Sequence, residues 1–311
     1  MEFYHKLNEI MTYDAGGRGL RTPMPDLAAV AEELCGAERV LVLTGFPVFG
    51  EDGIARGETD GPIGASEIAC TLAQLGSQVW LATDEASYDQ LCAAIKVFGE
   101  ETGVKVFSLE EEAQPRTGSF VQVLKVPGEN TEQYAEEIFE KYAFTHFVPI
   151  ERPGKGLCGH FCSMRGRILD EYVADTDYLL ALFKGISIGI GDGGNELGMG
   201  KYQDLIIQQV NHGEKIAAKL AADHVLTAGV SNWWGPGLAA LLSRKTGRDL
   251  LAGPATEERV LRAVVAAGGL DGCTGKPTIS VDGLDLAVHL ERRALVRKLL
   301  DESKVQDCVP V

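Results

Sequence analysis

Residues Gly185 to Lys201 read GISIGIGDGGNELGMGK, and seven of these seventeen positions are glycine. Ile186, Ile188 and Ile190 alternate with small residues, which predicts a short buried strand ending at Gly191. Asp192-Gly193-Gly194-Asn195-Glu196 follows, placing two carboxylates and an amide on a turn with almost no side-chain bulk. Glycines permit positive φ there and let a ligand approach the backbone closely. Carboxylates so placed suit a hard cation such as Mg²⁺ or Mn²⁺. The plainer alternative is a tight strand-to-helix turn capped by aspartate. Turns rarely need so many glycines, which favours the functional reading.

Strand, glycine turn and helix recur along the chain. Arg39–Thr44 reads as a buried first strand, after short helices over 3–12 and from Pro25 to about Leu34. Further strands are expected at Gln78–Thr83, Val104–Leu109, Phe120–Val126, Thr145–Ile150 and His224–Val230, with an edge strand at Ile279–Val281. Helices are expected over Ala65–Leu75, Ala86–Glu100, Asn130–Tyr142, Tyr178–Lys184, Pro236–Lys245, Thr256–Ala267 and Leu284–Leu300. Met199–Ala222 fits helix or strand. The alternation predicts an α/β fold, with helices layered around a mostly parallel or mixed sheet and Gly-rich loops at strand C-terminal ends. No repeat or clear linker divides the chain, so residues 1–311 read as one large domain.

Composition narrows the partners. A formal net charge of −16 opposes nucleic acid and anionic membrane surfaces. No run approaches the length of a membrane span, and the first residues, rich in acids, do not resemble a signal peptide. Seven scattered cysteines, from Cys35 to Cys308, do not look like a disulfide framework, so a reducing cytoplasm is the expected compartment. CGHFC (Cys158, His160, Cys162) matches no common zinc spacing.

Five loops at predicted strand ends carry the chemistry. Gly45–Gly64 is a long Gly-rich loop ending in Glu58-Thr59-Asp60-Gly61 just before a helix, and loops this long inside a compact domain are usually functional or disordered. Backbone N–H groups at that helix start favour an anion, but Glu58 and Asp60 would repel one unless a metal stood between. Helix capping by Asp60 is the competing reading. Asp84 ends the next strand. Arg152 and Lys155 follow another, with Arg165 and Arg167 a little further on, and guanidinium offers bidentate donors to carboxylate or phosphate. Ser231-Asn232-Trp233-Trp234 is the last such turn, and its tryptophans could wall a pocket, face a partner copy in a homo-oligomer, or pack in the core. Gathered at one sheet edge, these loops would hold acids for a divalent metal and bases for a small anionic substrate.

ETDGPIGA (Glu58–Ala65), IERPG (Ile150–Gly154), MRG (Met164–Gly166), GIGDGGNELGMG (Gly189–Gly200) and GVSNW (Gly229–Trp233) occur in this order and span nearly the whole chain. Together they resemble the C-terminal domain family of D-glutamate cyclase. The resemblance implies a lyase reaction, cyclisation of D-glutamate to 5-oxo-D-proline with loss of water. Carried onto these residues, Glu58, Asp60, Asp192 and Glu196 would hold the metal that polarises the γ-carboxylate. Arg152 would clamp the α-carboxylate, Asp84 would take the amine proton, and Asn195 and Lys155 would complete the catalytic set. Thr59, Gly61, Arg165, Gly193, Gly194, Ser231 and Asn232 would contact substrate. The same residues could instead serve a metal-dependent phosphatase, with Arg152 and Lys155 neutralising the phosphate. The GDGGNELGM run also resembles a Mg²⁺-binding motif of haloacid-dehalogenase-type phosphatases, but no DxDxT nucleophile accompanies it. No GxGxxG follows a strand as a nucleotide-linked redox role would need. A non-catalytic small-molecule binder is the reading from a different class.

Overall fold

A computed structural model describes residues 1–111 and 117–306, so Cys308 lies outside the described residues. Its centre is a seven-stranded sheet. The strands, in chain order with two short hairpins, are β1 (Arg39–Leu43), β2 (Pro47–Phe49), β3 (Ala55–Gly57), β4 (Gln78–Thr83), β5 (Val106–Phe107), β6 (Phe120–Lys125), β7 (His146–Pro149), β8 (Ile186–Gly191), β9 (His224–Thr227), β10 (Ser280–Val281) and β11 (Leu284–Asp285). The large sheet runs β5-β6-β4-β1-β7-β8-β9, and every neighbouring pair in it is parallel. The α/β class and the strand-end loops are therefore as the sequence predicts, and the sheet is parallel rather than mixed.

Parallel strands covered on both faces read as continuous apolar runs, and RVLVL and QVWLAT do. Successive side chains then serve opposite cores. Val40, Val42, Val79, Leu81, Ile188 and Ile190 pack on one side, beneath helices α1 (Glu2–Met11), α2 (Leu27–Cys35), α3 (Pro62–Leu75) and α4 (Tyr88–Thr102). Leu41, Leu43, Trp80, Ala82 and Phe147 pack on the other, against α5 (Thr131–Tyr142) and α6 (Asp177–Leu182). The ambiguous Met199–Ala222 stretch holds two short helices, α7 (Gln203–Gln209) and α8 (Gly213–Ile216). The chain closes with α9 (Trp234–Thr246), α10 (Pro254–Ala266) and α11 (Leu286–Gln306) on the first side. Among the described residues, no helix is long and apolar enough to cross a membrane.

One expectation needs correction and one open alternative is resolved. The long loop after β1 is not irregular throughout, because β2 and β3 pair as an antiparallel hairpin within it. Trp233 and Trp234 face neither a ligand nor a partner copy; they are 2% and 0% exposed, and their indole N–H groups donate to His289 Nδ1 (3.0 Å) and the Thr227 carbonyl (2.9 Å).

One packing detail positions the site. The starts of α3 and α9 meet through glycines: a Cβ on Gly235 would lie 3.0 Å from Gly64 Cα, and one on Gly64 would lie 2.8 Å from Asn232 Cα. This close approach places the loop ending at Asp60 directly against Ser231 and Asn232.

Candidate functional site

From β1 the chain moves to β4 on one side, and it later returns through β7 on the other. Loops leaving β1 and β7 therefore diverge, opening the crevice in which parallel sheets commonly bind ligands. Glu151 sits in that crevice with φ 41°, a left-handed value that a non-glycine residue holds only when its surroundings impose it. Here its N–H donates to the Ile190 carbonyl (3.2 Å), and its carbonyl accepts from Gly45 N–H (3.1 Å).

Three acids converge at this point. Asp60, Glu151 and Asp192, from three separate loops, each present a carboxylate oxygen, and these oxygens lie within 4.8 Å of one another. Each is held by its loop or by a neighbour. Asp60 accepts backbone N–H bonds from Gly61 (2.9 Å), Ser231 (2.9 Å) and Asn232 (2.8 Å), where two helical segments begin. Glu151 accepts the Ser231 hydroxyl at 2.6 Å. Asp192 pairs with the Arg18 guanidinium, which also reaches Asp282 at 2.9 Å. Glu58 lies alongside, so close to the Gly272 backbone that a Cβ there would come within 1.9 Å of its Oε2.

Burial and mutual repulsion make these carboxyls poor anions when no cation accompanies them. Burial pushes Asp60 up to about 7, helped by Asp282 and opposed by its backbone donors. Burial likewise lifts Glu151 well above the usual range, with Glu196 and Asp60 adding to it. Glu58 is raised by burial and then by Glu151 and Asp282. Asp192 is raised by burial despite Arg18. An all-oxygen donor set that repels itself at close range is the chemistry a hard divalent cation relieves, so the triad can hold one.

The acids open onto a cavity of about 360 Å³, lined by Glu58, Glu151, Asp192, Asn195 and Asp282, by Arg18, Arg165 and Arg167, and by an apolar wall from Phe46 to Phe49. A larger groove of about 770 Å³ runs between α10 and α11, but no residue from a strand C-terminal end lines it. Convergent polar groups mark the smaller cavity as the candidate site.

A profile of the family described as D-glutamate cyclase-like, C-terminal, matches residues 7–299. The chain belongs to that family. The human protein named D-glutamate cyclase, mitochondrial, is 29% identical to it over 338 residues, covering 97% of this chain and 52% of the human protein. The chain thus spans about half the length of the curated relative it matches.

Within this D-glutamate cyclase-like domain the residues singled out from sequence divide into groups. Asp60 and Asp192 meet at the triad, and Glu58 lines the cavity. Asn195 also lines it, with its amide donating to the Cys162 carbonyl at 2.8 Å and its buried Oδ1 left without a partner. Arg165 stands exposed at the mouth and donates to the Cys273 carbonyl at 3.0 Å. Thr59, Gly61, Ser231 and Asn232 form the scaffold under the acids. The Asn232 carboxamide oxygen accepts from Gly61 (2.9 Å) and Gly64 (2.8 Å), and its Nδ2 donates to the Thr59 carbonyl (2.9 Å).

Other expected roles do not fit the geometry. Glu196 spends both carboxylate oxygens on the glycine turn, accepting from the N–H groups of Asp192 (3.1 Å), Gly193 (2.7 Å) and Gly194 (2.7 Å). It is a clasp beneath Asp192 rather than a free ligand, and Gly193 and Gly194 thereby commit their donors to it. Arg152 is 0% exposed, bound to Asp84 (2.6 Å), Thr176 (2.9 Å) and the carbonyls of Gly45 and Ala174, so it cannot clamp a substrate. Asp84 Oδ2 takes that ion pair and the Ala174 N–H (3.1 Å), and Asp84 does not line the cavity. Lys155 pairs with Asp175 and contributes nothing to the cavity lining.

Sequence reasoning missed Arg18, Glu151 and Asp282. Glu151 precedes the arginine that drew attention in IERPG, and Arg18 reads as part of a helix-breaking glycine run. A turn signal was present at Asp282, in VDGL, where Asp-Gly joins β10 to β11.

Replacing Glu196 with Gln is expected to turn one of the three accepted bonds into a donor-donor clash. This should cost about 1–3 kcal/mol in urea unfolding and weaken cation binding through Asp192. Wild-type stability in that variant would show the clasp to be dispensable.

Proposed function

We propose that this D-glutamate cyclase-like chain is a hydro-lyase that closes D-glutamate to 5-oxo-D-proline and water, aided by Mg²⁺ or Mn²⁺ at Asp60, Glu151 and Asp192. The observation that carries the reading is the meeting of three buried carboxylates, two of which, Glu151 and Asp192, line a cavity that also holds guanidinium groups. The name of the human relative, D-glutamate cyclase, supports the choice of substrate.

In this reading the bound cation would act as a Lewis acid on the γ-carboxylate, a poor electrophile on its own. Glu58 handles the protons. Buried on the cavity wall, it takes protons from the α-ammonium at its Oε atoms. Two protons pass in succession from nitrogen to the departing oxygen, which leaves as water when the C–N bond closes. Asn195 Oδ1, buried and unpartnered on the cavity wall, accepts from the ammonium and aims the nitrogen. Phe46, Pro47 and Phe49 limit water on the opposite wall.

Residues 1–311 read as one domain in this account, with a reducing compartment suited to the six free thiols among the described residues. The phosphatase alternative has no support from the family or the relative, and its two cations, Arg152 and Lys155, are committed elsewhere.

The test is product formation from D-glutamate by purified protein, followed by chromatography of 5-oxo-D-proline. Product should appear with Mn²⁺ or Mg²⁺, vanish on chelation and return when the cation is restored. Saturable D-glutamate binding without product would replace the enzyme with a binding domain.

A further inference from the structure

Among the described residues Arg18 is the one guanidinium paired with the acids of the cluster, and the segment carrying it is fastened on both sides. Met11 accepts Gly229 N–H through its carbonyl (2.8 Å), and the Tyr13 ring stacks under Arg292 with 4.4 Å to the ring centre. Beyond Arg18, the N–H of Arg21 donates to Gln209 (2.7 Å) and Thr22 meets Thr227 (2.7 Å). Asp14 takes the N–H groups of Arg18 (2.8 Å) and Gly19 (3.0 Å), fixing the turn. The segment so fastened carries the Arg18 side chain to the cavity.

There Arg18 divides its fork, Nη1 to Asp192 and Nη2 to Asp282. Burial opposes its charge, and the two carboxylates outweigh that cost and keep it protonated. The other cavity guanidiniums are placed differently. Arg165 is exposed and bonded to Cys273, and Arg167 lies flat over the Phe49 ring at 3.3 Å.

We propose that Arg18 is the carboxylate-binding residue of this site and that cation binding arms it. The inference rests on the reading of Asp60, Glu151 and Asp192 as a cation site. When no cation is held, Arg18 is the counter-ion of Asp192, with Nη1 turned to that carboxylate. With Asp192 committed to a cation, Nη1 is released while Asp282 still holds Nη2, and the charged fork can donate to a substrate carboxylate. The substrate class is a small dicarboxylate, with one carboxylate at the cation and the other at Arg18. Binding is then ordered, cation first.

Calorimetry with glutarate, a dicarboxylate with no amine to cyclise, tests this without turnover. Mn²⁺-loaded wild type should bind glutarate about tenfold or more tightly than metal-free protein. Arg18→Gln should bind Mn²⁺ at least as tightly as wild type, having lost the competitor, while its loaded form loses about tenfold in glutarate affinity. Arg18→Lys, which keeps the charge without the fork, should fall between them and guards against a folding defect in the first variant. Wild-type glutarate binding by loaded Arg18→Gln would overturn the proposal, as would equal glutarate affinity with and without Mn²⁺. Failure of Mn²⁺ to bind either protein would instead remove the cation site, and this proposal with it.

Discussion

Asp192→Asn is expected to lower D-glutamate turnover by about a thousandfold while leaving the protein folded. Lewis-acid stabilisation is worth several kcal/mol, and each ~1.4 kcal/mol is tenfold in rate, which sets that magnitude. Asparagine matches the shape of aspartate, and burial already opposes the charge at this position. The Glu196 clasp holds the backbone of the turn, not the Asp192 side chain, so the loop should keep its course. Arg18 retains Asp282. Thermal melting within about 1 kcal/mol of wild type is therefore expected. Unchanged turnover in a folded variant would take Asp192 out of the chemistry.

The largest stability effect belongs elsewhere. Arg293 on α11 is 3% exposed and bonds bidentately to Glu67 on α3 (2.9 and 2.6 Å) and to Glu257 on α10 (2.9 Å). This triad ties three helices together on one face of the sheet. Arg293→Met would leave two buried carboxylates without a counter-charge, at a cost of about 3–5 kcal/mol. Urea denaturation measures it. Converting all three residues to apolar ones of similar volume should recover most of the loss, because the pairing mainly offsets its own desolvation. A shift below about 1 kcal/mol in Arg293→Met would mean that water reaches these carboxylates.

The sheet was legible because its signal is local. Each strand of RVLVL type, buried on both faces, announces itself by composition, and the glycine turns mark where strands end. The β2–β3 hairpin was not legible, because PVF and ARG are too short to show a period. The site was half legible for a related reason. Loops rich in glycine and acid can be found by composition, and Asp60 and Asp192 were found that way. What a side chain faces depends on long-range packing. Arg152 and Glu151 are adjacent in sequence, yet one turns beneath the sheet edge to Asp84 and the other into the crevice. Arg18 reaches the acids only because its segment is fastened to residues more than a hundred positions away. Glu196 looked like a ligand because carboxylates in glycine turns often are. Counting the orphan N–H groups of that turn would have assigned it to them.

Glu151 and Asp192, remote in sequence, are read here as ligands of one cation site. Calorimetric titration of metal-stripped protein with Mn²⁺ tests it most directly, in wild type and in the Glu151→Gln and Asp192→Asn variants. Specific binding to wild type is expected, lost in both variants, each of which still melts cooperatively. No binding to wild type at millimolar Mn²⁺, or undiminished binding in both variants, would contradict it.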